Sequence, residues 1–472
     1  MSEVVVTAAD LGGSELSRIR INRDRIVAVG PDVDLHHADE VIDAGGGAVI
    51  PGLHDHHVHL HATAAALQSL RLGPPEVADR SAFAAELARV DRELAPGAWI
   101  RAVGYHDSVA GPLDRHVLDA LVPHRPVRVQ DRSGSQWVLN SAGIDAIVPL
   151  ATLPDEAGQG VERDAMGRPT GRLTRMDGWL ARELAPARLS LQAVGAAAAR
   201  AGVVGFTDAT PLAETEQLDL LVAAQRAGDI RQRVTVMSAP ATAIRPPATI
   251  ELGPVKIVLD DDRLPGFEEL CATVAAAHHE RRNVAIHCVT GVQVVLTVAA
   301  LTEAGSLAGD RIEHGAIIPD DLLAPLAALG VTVVTNPGFV AERGDDYLRD
   351  VDPGDVALLY RCQSLRRAGI KTAAGTDAPF GPADPWRVIR TCVERTTASG
   401  AALGLGEGVD PRVALSMFLG SASAPGRLRR IAPGQPADLC VLHTALDNAL
   451  RAPAADNVAL CLIGGAIVAD NR

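Results

Sequence analysis

The sequence predicts an α/β protein built on a (β/α)8 barrel, also called a TIM barrel, and two observations support that fold class. Eight short β-type runs, most of them separated by helical stretches, follow one another along the chain. Eight parallel strands with intervening helices are what such a barrel requires. The chain has 472 residues, so a barrel of roughly 250 residues leaves room for additions. We expect a small β-sandwich formed by both chain ends and an insertion after barrel strand 1.

Both ends of the chain contain short β-type runs and turns. Near the start, runs at 25–29, 40–43 and 48–50 are separated by Gly and Asp. The last stretch, 426–468, has the same character and ends in a hairpin-like Gly-Gly segment. Because the first piece has few residues for a core of its own, we predict that residues 1–50 and 425–472 form one composite β-sandwich.

The stretch after the first barrel strand lacks a regular alternation of strands and helices. An Ala-rich helical run extends to about residue 72, and β-type runs follow at 99–103 and 127–130. A Gly-rich passage lies at 158–171. We therefore predict an insertion subdomain at 73–189, and we assign residues 51–72 and 190–424 to the barrel.

Regular alternation begins after Gly202. Short runs rich in Val, Ile and Thr are separated by helical runs, as expected for βα units. Barrel strands 2 to 8 are predicted at 203–207, 234–237, 255–259, 284–289, 312–314, 331–335 and 372–376.

Barrel strand 1 is predicted within residues 49–61, a stretch with five histidines in eight residues. Side chains alternate between the faces of a strand, which places Asp55, His57 and His59 on one face and His54 and His56 on the other. Two neutral imidazoles on one face can bind a divalent metal ion. A His-rich surface tract is the alternative interpretation.

Further candidate ligands lie on other predicted strands or at their ends. Lys256 is on strand 4, His287 on strand 5, His314 on strand 6, and Asp377 follows strand 8. Each alone is compatible with a structural role, because polar residues are common where strands meet loops. Together they would converge at one mouth of the barrel, where barrel enzymes keep their active sites.

This set resembles the amidohydrolase superfamily. Its signature Pro-Gly-Leu-x-Asp-x-His-x-His is matched by Pro51, Gly52, Leu53, Asp55, His57 and His59. More narrowly, the chain is similar to the YtcJ-like amidohydrolases, also called amidohydrolase 3, which include N-substituted formamide deformylases. The resemblance covers nearly the whole chain, with further matching stretches at 125–127, 139–141, 167–171, 311–314, 377–379 and 384–386.

The resemblance implies a metal-dependent hydrolase that cleaves a C–N bond other than a peptide bond, in an amide, formamide or cyclic amide. The implied metal ligands are His57, His59, Lys256, His287, His314 and Asp377. Two zinc ions are the default, although manganese, iron or cobalt would fit. The implied mechanism is attack by a hydroxide between the two ions. His314 and Asp377 are also the implied catalytic residues, and Asp377 would pass the proton to the leaving group.

The lysine count supports a special role for Lys256. Of 44 basic residues, only Lys256 and Lys371 are lysines. In the resembling family Lys256 would carry CO₂ as a carbamate, a reaction that needs a neutral amine. A buried lysine can lose its proton, whereas arginine stays charged. The alternative is that Lys256 is only one of two remaining lysines.

Three alternatives stay open. A superfamily deaminase or lactonase would share the fold, but deaminases generally place a glutamate three residues after the strand 5 histidine, where this chain has Thr290. A non-catalytic scaffold of the same fold would typically lose ligands, whereas all six are present here.

Composition restricts the partners and the compartment. The net charge of −14 gives no basic surface for nucleic acid. We find neither a secretory signal nor an apolar run of about 18 residues. The six cysteines form no Cys-x-x-Cys pair, which indicates reduced thiols. We expect a cytoplasmic enzyme with a small-molecule substrate and no membrane partner; homo-oligomer formation is left open.

Overall fold

The computed structural model describes residues 3–13, 15–36, 38–147, 160–184, 189–213 and 215–472. Two compact units make up the chain. One consists of Met1–Leu60 and Ser190–Arg472, and the other of His61–Leu189. The first contains the barrel and the sheets formed by the chain ends, and the second contains the insertion.

Eight parallel strands form one sheet, and their order in space follows their order in the chain. All eight predicted barrel strands are confirmed. Barrel strands 1 to 8 are Leu53–Val58, Val203–Leu212, Arg233–Ser238, Ile250–Val258, Val284–Cys288, Arg311–His314, Thr332–Thr335 and Lys371–Ala374.

Strand 8 returns to strand 1 and nearly closes the barrel. The amide of Asp377 donates to the carbonyl of His57 at 2.8 Å, and the amide of His59 donates to the carbonyl of Ala378 at 2.9 Å. Gly375 permits this approach, because a β-carbon there would lie 2.4 Å from the β-carbon of His57. The ends of the first and last strands are thereby joined at the mouth.

Helices pack against the outer faces of the strands. Ile257, Ile286 and Ile312 belong to the buried layer between strands and helices. Because side chains alternate along a strand, the neighbouring residues Lys256 and His287 are directed into the barrel. The longer helices of this unit are Gln192–Arg200, Thr215–Ala227, Phe267–His279, Gly291–Ala304, Gly338–Asp350 and Pro385–Glu394. Shorter ones are Leu323–Leu329, Pro353–Val356, Cys362–Arg367, Pro411–Ser416 and Leu446–Ala449.

The two chain ends form a pair of four-stranded sheets with a common core, as predicted. In spatial order, one sheet contains Arg25–Gly30, Ser17–Asn22, Glu3–Ala9 and Glu40–Asp43. The other contains Ala466–Asp470, Val458–Ile463, Leu439–Leu442 and Val49–Pro51. Ile19 and Ile21 of the first sheet are buried in one cluster with Leu439 and Leu460 of the second.

The stretch predicted as strand 1 differs in detail, because residues 49–61 do not form one strand. Residues Val49–Pro51 pair with Leu439–Leu442, and Leu53–Val58 pair with barrel strand 2. Gly52 separates the two pieces, and a β-carbon there would lie 2.1 Å from Val204. The chain therefore passes from the end sheets to the barrel at this glycine.

The second unit has a six-stranded mixed sheet, Val161–Arg163, Pro169–Thr174, Gln136–Leu139, Val127–Asp131, Ile100–Tyr105 and Leu70–Arg71 in spatial order. Its helices are Arg80–Glu93, Asp107–Ala110, Arg115–Leu121, Ser141–Ile147 and Asp177–Glu183. The Ala-rich run is helical only over Leu60–Leu67, because Leu70–Arg71 is a strand paired with Ile100–Tyr105.

The domain limits drawn from the sequence, including 73–189 for the insertion, stay a prediction. Parts of that stretch, 148–159 and 185–188, lie outside the described residues, and the Gly-rich passage begins among them. All six cysteines are free thiols. Among the helices that the structure describes, none is long and apolar enough to cross a membrane.

Candidate metal centre

Barrel strand 1 supplies two imidazoles to the barrel interior, and the predicted alternation of its side chains holds. The rings of His57 and His59 have their centroids 5.5 Å apart. His57 is fully buried, whereas the side chain of His59 is 19% exposed. On the opposite face, His54 bonds through Nε2 to the hydroxyl of Thr207 at 2.9 Å. Of these histidines, His59 is therefore the one that faces the open side of the mouth.

The carboxylate of Asp377 lies between the imidazoles. Its Oδ1 lies 3.5 Å from Nε2 of His57 and 3.4 Å from Nε2 of His59. Its Oδ2 lies 3.8 Å from Nδ1 of His314. Nitrogen and oxygen atoms of His57, His314 and Asp377 all lie within 4.8 Å of one another, which makes these residues a possible metal-binding group.

Two of these residues have a left-handed backbone that turns their side chains into the site. Simple alternation along strand 6 would direct His314 outward with Ile312. The φ angle of His314 is 67°, and its ring centroid lies 4.6 Å from that of His57 and 4.5 Å from that of His287. Asp377 has a φ of 54°. Left-handed non-glycine residues cost free energy and concentrate at functional sites.

Lys256 approaches the same group from strand 4. It is 3% exposed, and its charge contributes to lowering the pKa of both His57 and His314. Burial lowers the pKa of Lys256 itself, while the negative charges of Glu313 and Asp377 act in the opposite direction. The lysine side chain is thus near the imidazoles and in surroundings that favour a neutral amine.

Three buried polar atoms in this group make no hydrogen bond: Nε2 of His57, Oδ1 of Asp377 and Nζ of Lys256. Buried polar atoms are normally bonded, and leaving one unbonded costs about 1–3 kcal/mol. All three atoms are of the kinds that bind divalent metals directly or, for the amine, after carboxylation. The residues present therefore fit a metal ion.

The electrostatic surroundings favour the neutral form of two imidazoles, those of His57 and His314. Burial and the nearby positive charge of Lys256 hold the pKa of His57 well below its ordinary value. Burial together with His287 and His57 does the same for the pKa of His314. A neutral imidazole has one nitrogen lone pair available, and metal binding requires that form.

Glu313 and Arg311 support His57, a role the sequence analysis did not assign to them. The Nδ1 of His57 forms a short hydrogen bond to Glu313, and Glu313 is paired with Arg311. Both side chains are buried, and Arg311 also donates to the carbonyl of His56 at 2.6 Å. A carboxylate on Nδ1 directs Nε2 of His57 towards a metal. The Arg-x-Glu spacing on a barrel strand was the available signal, because it places both residues on one face.

Asp55 of the signature binds the end of strand 8 rather than the imidazole rings. Its carboxylate accepts from the amide of Thr376 at 2.9 Å, from the hydroxyl of Thr376 and from the amide of His57 at 3.2 Å. Burial raises the pKa of Asp55 to about 6. Asp55 thus fixes the end of strand 8 next to strand 1, which positions Asp377.

The structure brings the six predicted site residues to one mouth. Asp377 contacts His57, His59 and His314, the ring of His287 meets that of His314 edge-on, and Lys256 is buried beside them. That all six bind metal stays a prediction. Of the six, His57, His314 and Asp377 have ligand atoms that all lie within 4.8 Å of one another.

Comparisons with known proteins agree with this geometry. The model of the amidohydrolase family matches residues 40–469. The chain is 26% identical to the N-substituted formamide deformylase of Arthrobacter pascens, over 93% of this chain and 92% of that protein. It is 22% identical to the putative amidohydrolase YtcJ of Bacillus subtilis (strain 168), over 85% of each chain.

A solved structure shows the same fold. The uncharacterized metal-dependent hydrolase from Pyrococcus horikoshii OT3 superimposes with a TM-score of 0.70 at 19% identity, covering 94% of this chain and 97% of the other. The resemblance found in the sequence is therefore confirmed. With a family match that spans most of its length, this chain belongs to the amidohydrolase family.

Proposed function

We propose that this enzyme hydrolyses the C–N bond of a small amide, formamide or cyclic amide at a centre of two divalent metal ions. The proposed ligands are His57, His59, Lys256 as its carbamate, His287, His314 and Asp377. Zinc is the first choice because its ligands are nitrogen and oxygen and it has no redox chemistry. The relatives described above as a formamide deformylase and an amidohydrolase support a C–N bond as the target.

One observation carries this proposal: three buried polar atoms without a hydrogen bond belong to one group of side chains, on three different strands or strand ends. They belong to His57, Lys256 and Asp377. A core without a ligand function would not leave a carboxylate oxygen, an amine and an imidazole nitrogen unbonded together. Bound divalent ions would lower the pKa of water towards 7 and polarise the substrate carbonyl.

The residues of the chain supply proton transfer and positioning. Asp377 is the candidate proton carrier, because Oδ1 makes no hydrogen bond and lies near Nε2 of both His57 and His59. It would accept a proton from the attacking water and deliver it to the leaving nitrogen. Glu313 would keep His57 in the tautomer that leaves Nε2 free.

Lys256 is the candidate for carboxylation. Its neutral amine would attack CO₂, the new N–C bond would form, and one proton would be released to give the carbamate anion. The absence of a hydrogen-bond partner for Nζ and the nearby imidazoles support this role. The carbamate would supply the anionic oxygens that a two-metal site needs.

A deaminase is less well supported because of Thr290. Its hydroxyl accepts from the amide of Gln293 at 3.4 Å and donates to Asp261 at 3.0 Å, so it caps the helix Gly291–Ala304. A hydroxyl engaged in this way is not the carboxylate that shuttles protons in such enzymes. Release of ammonia from aminated heterocycles without amide hydrolysis would favour the deaminase.

The experiment is a hydrolysis screen on protein loaded with zinc in the presence of bicarbonate. The substrate classes are N-acyl amides, formamides, cyclic amides, carbamates and lactones. We expect turnover of an amide class and about two metal ions per chain. Turnover of lactones alone would favour the lactonase, and less than one metal per chain without any turnover would favour a non-catalytic scaffold.

A further inference from the structure

Four aromatic side chains form a cluster at the mouth of the barrel. This cluster, which we call the aromatic rim, consists of Phe339, Tyr347, Tyr360 and Phe380. The chain has only four Trp, three Tyr and six Phe residues among 472, so the rim is a local concentration of a scarce residue type. Its members come from segments that follow barrel strands 7 and 8.

Three rings of the rim, those of Phe339, Tyr347 and Tyr360, contact one another as aromatic pairs. The centroids of Phe339 and Tyr360 are 5.9 Å apart, and those of Tyr347 and Tyr360 are 6.3 Å apart. The two tyrosine hydroxyls are 3.3 Å apart. Phe339 and Tyr360 are buried, whereas Tyr347 and Phe380 are half-buried and leave ring surface accessible.

The rim begins directly at the candidate metal centre. The ring of Phe380 meets that of His59 edge-on, with centroids 5.5 Å apart and an interplanar angle of 71°. Its amide donates to the carbonyl of Asp377 at 2.8 Å, so the turn after strand 8 links ligand and ring. A group next to a bond held at this centre would therefore meet Phe380.

Tyr360 has a left-handed backbone conformation that two hydrogen bonds maintain. Its φ angle is 50°, a left-handed value that it shares with His314 and Asp377. Its amide donates to the carbonyl of Ala316 at 2.8 Å, and its carbonyl accepts from Arg395 at 3.1 Å. Backbone strain that the surroundings maintain in this way is typical of functional positions.

The positive charge of Arg343 lies at the rim and already has contacts there. The guanidinium of Arg343 lies 4.2 Å from the ring centroid of Phe339 and donates to the carbonyl of Phe380 at 2.7 Å. Arg343 therefore contacts one ring of the rim and the backbone of the residue that carries another. An uncharged aromatic occupant fits this arrangement better than an anion does.

We propose that the aromatic rim is a substrate subsite for an uncharged aromatic group next to the scissile bond. This inference rests on the proposed hydrolase function and names part of its substrate class. Aromatic rings gain energy from edge-to-face and offset contacts beyond the burial of apolar area. The rim should therefore bind a phenyl group more tightly than a saturated ring of similar size.

The test compares phenyl with cyclohexyl probes in binding and in turnover. Binding of 2-phenylethanol and 2-cyclohexylethanol to the zinc-loaded protein is measured by calorimetry. Turnover is measured on amides with the same two groups, placed on the nitrogen or on the acyl side. The saturated ring is the more hydrophobic, so simple burial of apolar surface predicts the opposite order.

We expect the wild-type protein to prefer the phenyl probe by roughly three- to tenfold. Phe380→Leu and Tyr347→Leu should reduce that preference towards one, whereas Tyr347→Phe, which keeps the ring, should retain it. Phe267→Leu, on the exposed start of the helix Phe267–His279, is the control and should leave the preference and the activity unchanged.

The outcomes separate this inference from the proposed function. Equal binding of both probes by the wild type, or an unchanged preference in both leucine variants, overturns the rim as an aromatic subsite even if amides are hydrolysed. A phenyl preference that depends on the two rings supports the subsite even if no amide is hydrolysed. The absence of amide hydrolysis would count against the proposed hydrolase function and not against the subsite.

Discussion

The carboxylate of Asp377 lies within 3.8 Å of nitrogen atoms on three imidazoles. We predict that Asp377→Asn retains bound metal, because the amide oxygen keeps the shape and position of a ligand atom. Hydrolysis should fall by roughly 10²–10⁴-fold, because an amide cannot take up the proton. Metal content and turnover are measured on the same preparation.

The control for this variant is Asp447→Asn, since the side chain of Asp447 is 73% exposed and pairs with the exposed Arg412. It should behave as the wild type in both measurements. Unchanged turnover in Asp377→Asn would contradict the assignment of Asp377 as proton carrier.

The two lysines of the chain offer a matched pair. Lys256→Ala should lose activity by roughly a hundredfold or more, because the carbamate oxygens are no longer available to the metal centre. Short carboxylic acids such as propionate should restore part of it by occupying the vacated space. Lys371→Ala, at an exposed position, should neither lose activity nor respond to the acid. A Lys256→Ala variant with wild-type rates would refute the carboxylated lysine.

Glu313 acts through His57, so replacing it should weaken the binding of the metal. Glu313→Gln keeps the size of the side chain but replaces the anion opposite Nδ1 and Arg311. We expect the dissociation constant for zinc to rise by roughly 10–100-fold. Titration with a zinc chelator measures it, with the exposed Glu268→Gln as the control. Equal zinc affinity in the two variants would show that Glu313 only fills the barrel interior.

At the level of elements, the contact between strands 1 and 8 determines whether the ligands meet. Thr376 donates both its amide and its hydroxyl to Asp55. Thr376→Val leaves one buried carboxylate oxygen without its donor, which should lower the free energy of unfolding by about 1–3 kcal/mol.

Urea unfolding of Thr376→Val is compared with that of Thr302→Val, a similar substitution at an exposed position of the helix Gly291–Ala304. The surface variant should differ from the wild type by less than about 0.5 kcal/mol. If both variants unfold like the wild type, the Asp55–Thr376 contact is not what joins the first and last strands.

The sequence was informative about the elements because each barrel strand is a short apolar run, with the candidate ligands at regular places on it. Lys256 and His287 follow simple alternation, so their direction could be predicted. His314 does not, because its φ of 67° turns it to the same side as Glu313. A local conformation of that kind depends on tertiary contacts, so simple alternation assigns the neighbours His314 and Glu313 to opposite faces of the strand.

At the level of the whole molecule, the two chain ends share one buried cluster. We predict that residues 3–43 and 439–470 exchange their amide protons as one cooperative unit, because removing either sheet exposes the core of the other. Hydrogen exchange followed by mass spectrometry measures this. Independent exchange of the two segments would contradict a single composite sandwich.

The insertion was harder to predict than the barrel for a physical reason. Its sheet pairs Leu70–Arg71 with Ile100–Tyr105 in parallel and Gln136–Leu139 with Pro169–Thr174 antiparallel. Pairings between strands that are distant in sequence produce no pattern within a short sequence window. Repeated βα units, in contrast, produce a regular alternation of strand and helix patterns. Hence the existence of the insertion could be predicted from the broken alternation, but its topology could not.

The central claim is that six side chains at one mouth of the barrel bind two metal ions. Anomalous diffraction at the zinc edge, from crystals grown with zinc and bicarbonate, tests it most directly. We predict two peaks roughly 3.5–4 Å apart, surrounded by His57, His59, His287, His314 and Asp377, with density for a carboxyl group on Lys256. No anomalous peak among these residues, or zinc bound only elsewhere, would contradict the account.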